Sequence, residues 1–82
     1  MADIWRQSIV VSCFESEPGF NLHCEPEGAV QELLPGDVLT VTFTAKIPHL
    51  FEISRVAGGI VLARSGDSEV SIDDRRGRSL TR

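Results

Sequence analysis

The residues of this 82-residue chain with the most chemistry to offer are two cysteines, two histidines and a group of carboxylates. Cys13, His23, Cys24 and His49, together with Glu25 and Glu27, are of the types that hold a transition metal. Strand alternation opposes a site built from them. Adjacent side chains such as His23 and Cys24 point to opposite faces of a strand unless it ends or bulges there. No CxxC, HxH or HExxH occurs, and the single methionine is Met1. The expectation is no resident metal and no cofactor, with Cys24 in the core and both histidines as exposed polar residues.

Other chemistries are no better supplied. A nucleophilic mechanism needs Cys13, Cys24 or a serine beside an activating base. There is no Gly-x-Ser-x-Gly elbow, and Glu25 and Glu27 near Cys24 would raise a thiol pKa rather than lower it. Gly58-Gly59-Ile60 and Ser65-Gly66-Asp67 are isolated glycines without a phosphate-loop pattern. Asp73-Asp74-Arg75-Arg76-Gly77-Arg78 has no interleaved aromatic on which a base could stack, so it reads as a self-neutralising turn rather than an RNA hook. The expectation is a protein that is not an enzyme and does not bind nucleic acid.

Composition agrees. The chain is 41% hydrophobic and 24% charged, with four Phe, one Trp and no Tyr, so one domain over 1–82 must build its core from Val, Ile and Leu. The net charge is −4, divided as −6 over residues 1–54 and +2 over 55–82. That balance disfavours polyanions and anionic lipid. The N-terminal residues lack a basic and an apolar region, two cysteines are too few for a disulfide scaffold, and no apolar stretch approaches the roughly 20 residues of a membrane span. A cytoplasmic protein without membrane contact is expected.

The elements that position these residues are strands. No helical stripe is found, whereas Leu39, Val41, Phe43 and Ala45 alternate with Thr40, Thr42, Thr44 and Lys46. Shorter alternations run over Phe20–Glu25, Phe51–Ser54 and Val70–Asp73. Turn chemistry falls between them, at Pro18-Gly19, Pro26, Pro35-Gly36, Gly58-Gly59, Gly66 and Gly77. The pattern predicts an all-β fold, a small antiparallel sandwich or partly closed barrel of six to eight short strands. They are placed at about 6–14, 20–25, 29–34, 37–46, 50–56, 60–64, 69–73 and 79–81. Ile9-Val10-Val11 fits a strand apolar on both faces or one leading into a bulge. If the first two strands form a hairpin around Pro18-Gly19, Cys24 faces either Cys13 or Phe14, depending on register.

Leu22-His23-Cys24-Glu25-Pro26-Glu27-Gly28, followed by Leu34-Pro35-Gly36-Asp37, resembles a group of small uncharacterised bacterial all-β proteins. Gly59-Ile60-Val61-Leu62 and Gly66-Asp67-Ser68-Glu69-Val70 are similar to two later strands of that pattern. The group usually has an aromatic after the Glu-Pro pair, where this chain has Glu27. The resemblance covers about residues 20–80 and implies a β-sandwich-like fold with no known activity.

Two classes of function follow. The first is a non-catalytic domain working through protein–protein contacts or self-association as a homodimer, with Trp5, Thr40, Thr42 and Thr44 as the candidate surface. A chain of this size buries only about 60–65% of its surface, which favours help from a partner. The second is a small cupin- or cupredoxin-like binder of a metal ion or small ligand, using His23, Cys24, Glu25 and His49.

Overall fold

The computed structural model describes residues 4–26, 28–64 and 67–80. Among the described residues there are seven strands and no helix: β1 (Trp5–Ser12), β2 (Phe20–Glu25), β3 (Ala29–Leu33), β4 (Val38–Ala45), β5 (Glu52–Val56), β6 (Gly59–Ala63) and β7 (Glu69–Asp73). They form a three-stranded sheet, β1-β4-β7, and a four-stranded sheet, β3-β2-β6-β5. The two pack as a sandwich rather than closing into a barrel. No helix among the described residues is long and apolar enough to cross a membrane.

β4 is the centre of the first sheet because both of its faces suit a strand. Leu39, Val41, Phe43 and Ala45 are buried, and the threonines between them are half-buried on the outer face. β-branched threonine tolerates the extended backbone and leaves the outer face polar. Val41 lies between Ile9 of β1 and Ile72 of β7, and Phe43 between Gln7 and Val70. The second sheet supplies Leu22, Cys24, Leu33 and Leu62 from the opposite side. Phe43 is fully buried and stacks on Phe51, with ring centroids 4.7 Å apart. Burial of one such ring contributes about 3 kcal/mol, a large share of a small domain's stability.

The expected strands are present with ends shifted by at most two residues, except that the last is absent among the described residues. Ser79 makes a single bridge to Asp73, and residues 81–82 lie outside the described residues. Ile9-Val10-Val11 forms an unbulged ladder in which Val11 is buried and Val10 faces outward. The conditional hairpin of the first two strands does not form. The Cys13 amide donates to the Asp37 carbonyl and the Gly36 amide to the Cys13 carbonyl, at 3.0 and 2.8 Å. These bonds extend the β1–β4 pairing, so the chain then crosses to the other sheet before β2 begins. Cys13 and Cys24 are therefore not cross-strand neighbours. Both are buried and free.

Short connections suggest that antiparallel neighbours dominate, and four of the five pairings are antiparallel. The exception is β2 with β6, which run parallel at the centre of the second sheet. Their register opposes Asn21 and Gly59. A Cβ on Gly59 would fall onto the Asn21 backbone carbonyl, so only glycine lets the two strands meet. The neighbouring Gly58 has open space but a φ of +80°. Gly59→Ala is expected to destabilise by at least about 2 kcal/mol, lowering Tm by about 10 °C. Gly58→Ala should cost about 1 kcal/mol, from backbone conformation alone. Urea denaturation of the two variants checks the order; equal losses would refute the close-approach account.

Candidate functional site

The described members of the sequence-derived metal set are not brought together, and Glu27 lies outside the described residues. On β2, Cys24 faces inward between Ala29 and Leu62, whereas His23 faces outward between Val30 and Val61. Glu25 is exposed at the strand end. His49 lies in the β4–β5 connection, its Nε2 3.6 Å from an Asp67 carboxylate oxygen and its ring edge-on to Trp5 at 6.3 Å. Among the described residues no three His, Cys, Asp or Glu side chains converge as a metal ion requires. For His23 and Cys24 the separation has a simple cause: adjacent residues on a regular strand point to opposite faces.

The other expected surface also divides. Thr40, Thr42 and Thr44 line the outer face of β4, each flanked across the sheet: by Val10 and Asp73, by Ser8 and Ser71, and by Arg6 and Glu69. Ser8 Oγ and Thr42 Oγ1 share a hydrogen bond of 2.9 Å. Trp5 does not belong to this face. It opposes the buried Ala45 and packs, half-buried, against the core. The arginine-rich segment after β7 closes on itself, because the Asp74 carboxylate accepts hydrogen bonds from the Arg76 and Arg78 amides at 2.9 and 2.8 Å.

Neither thiol is placed for nucleophilic work. The Cys13 thiol donates to the Pro18 carbonyl at 3.3 Å and so ties down the segment leading into β2. Burial pushes the Cys24 thiol pKa up, partly opposed by the nearby Arg64 guanidinium, with Glu25 adding to the rise. Arg64 was not singled out by residue type. It follows Ile60 and Leu62 at the same two-residue spacing, which is the signal for an inward-directed cation.

The unexpected feature is the edge of the four-stranded sheet. Ile53 of β5 lies opposite Leu62 of β6, so both face the inside of the sandwich. Leu62 is 1% exposed and Ile53 57%. The cover provided by the three-stranded sheet thus ends between β6 and β5. Arg55, opposite Ile60, shares the uncovered face. An open groove of about 570 Å³ results, floored by Phe20, Ile53 and Ile60, with Arg55 and Val56 at its rim and Pro18-Gly19 at one wall. Among the described residues β5 pairs only with β6, which leaves its other backbone edge without a strand partner there. The alternation of Ile53 with Glu52 and Ser54 marked the strand. The signal for its place at an edge was Arg55, a charge at inward spacing two residues on.

In comparisons with known proteins, no family model, no curated protein and no solved structure matches the chain.

The raised thiol pKa has a thermodynamic consequence. Above about pH 8.5 the unfolded thiol loses its proton while the buried one keeps it, so the folded state binds more protons and stability falls as pH rises. Below that range this contribution is fully present. Thermal unfolding followed from pH 7 to pH 10 should show Tm declining in the alkaline arm. Cys24→Ala, although less stable overall, should lose that component of the decline; an unchanged alkaline slope would refute the assignment to Cys24.

Proposed function

We propose that this domain is a non-catalytic protein-contact module that receives an extended segment of another protein molecule along the free edge of β5. The observation that carries the reading is the abrupt end of the cover between Leu62 and Ile53, which among the described residues leaves an unpaired backbone edge beside an exposed apolar side chain. Strand addition at such an edge gains backbone hydrogen bonds, while alternate side chains supply selectivity. Ile47, Leu50 and Val56 add exposed apolar surface in and near β5. A non-catalytic role is supported by the burial of both thiols, which withholds them from a substrate. Two free thiols suit a reducing compartment, and we place the domain in the cytoplasm.

Ile53 is exposed, so Ile53→Lys should change stability by no more than about 0.5 kcal/mol. Affinity capture with the native protein and with this variant tests the reading. A partner held by the native protein should be retained at least about tenfold less well by Ile53→Lys, and in the native complex the β5 amides should become protected from hydrogen exchange. Equal retention by both proteins, with β5 exchange unchanged, would overturn it.

A further inference from the structure

The chemistry of the added segment can be read from the side chains that it must lie beside. A strand paired with β5 places its own residues directly opposite Glu52, Ile53, Ser54, Arg55 and Val56, with Cβ atoms about 5 Å apart across each pair. Those opposite Ile53 and Arg55 share the inner, groove side; those opposite Glu52, Ser54 and Val56 lie on the outer face. The Arg55 side chain has no hydrogen bond or ion pair among the described residues. The acid of its own strand, Glu52, is on the other face and cannot neutralise it. The guanidinium therefore presents an unmatched charge beside an apolar floor.

Resting on the strand-addition reading above, we propose that the β5 edge selects an extended segment carrying a carboxylate two residues before an apolar side chain. It enters antiparallel, with the carboxylate opposite Arg55 and the apolar residue opposite Ile53. Antiparallel entry continues the β5–β6 arrangement and is the slightly more stable pairing per residue. A basic residue following the apolar one meets Glu52 on the outer face. This mixed pattern also suits a chain of net charge −4, which disfavours a wholly acidic partner.

The same geometry argues against a second copy of β5 as the occupant. Two-fold pairing centred on Ser54 sets Arg55 opposite Ile53 of the other copy and brings the two guanidinium groups to diagonal positions about 7–8 Å apart. Pairing centred on Ile53 sets Arg55 opposite Phe51, whose ring is already stacked on Phe43. Pairing centred on Arg55 opposes like charges directly. None of these registers supplies an acid.

The test uses the heptapeptide Thr-Val-Glu-Thr-Ile-Lys-Thr, blocked at both ends, titrated into the full chain while backbone amide resonances are followed. The β5 amides should shift and saturate. Exchanging the peptide's Glu for Lys should weaken binding about fivefold, as should Arg55→Glu in the protein with the original peptide. Combining Arg55→Glu with the Lys peptide should restore binding. Arg55 is exposed, and an unchanged Tm confirms that its variant is folded. Equal binding of Glu and Lys peptides at β5 would overturn the selectivity while leaving strand addition standing. If neither peptide moves the β5 amides, strand addition fails as well. β5 amides that shift with protein concentration alone would assign the edge to a second copy and refute the proposal.

Discussion

The fold depends on β4 having two usable faces. Its inner residues, Leu39, Val41, Phe43 and Ala45, meet the opposing sheet, and its outer threonines keep the other side wettable. With only five aromatic residues available, the single fully buried ring, Phe43, has to reach across to Phe51, which leads into β5. That contact fixes the start of β5 beneath the other sheet. Two residues later the cover has ended, and Ile53 is in solvent. The position of the candidate site is thus set by where β4 places its largest side chain.

Individual strands were legible in the sequence because period-two alternation and turn residues are local properties. Pairing partners were not, because they depend on contacts far apart in the chain. Cys13 illustrates the difference. Its local context fits a hairpin about Pro18-Gly19, but the Asp37 carbonyl and Gly36 amide hold it to the start of β4. The parallel pairing of β2 with β6 was hidden for the same reason, although Gly59 carries a trace of it in the close approach to Asn21.

The candidate site was less legible than the fold. Residue types with strong chemistry drew attention to His23, Cys24 and His49; alternation separates the first two, and His49 lies in the β4–β5 connection. Ile53 and Arg55 are ordinary residues whose significance comes from position: the same pair in a central strand would signify a strained core. Other edges show how exposure can be limited. β7 is partly closed by its own chain, through the Asp73–Ser79 bridge and a 2.7 Å bond from the Leu80 amide to the Ile72 carbonyl. β5 has no such cover among the described residues.

The strand order also governs how the molecule can come into being. One sheet draws on β1, β4 and β7, and the other encloses the parallel β2–β6 pair between β3 and β5. Each sheet therefore waits for strands from both halves of the sequence, and no early hairpin buries a complete apolar face. Such non-local assembly must meet its loop-closure cost before most contacts form, which places folding towards the slow end for small domains. Cut between β4 and β5, neither piece would hold a whole sheet. The three-stranded sheet is complete only when β7 arrives.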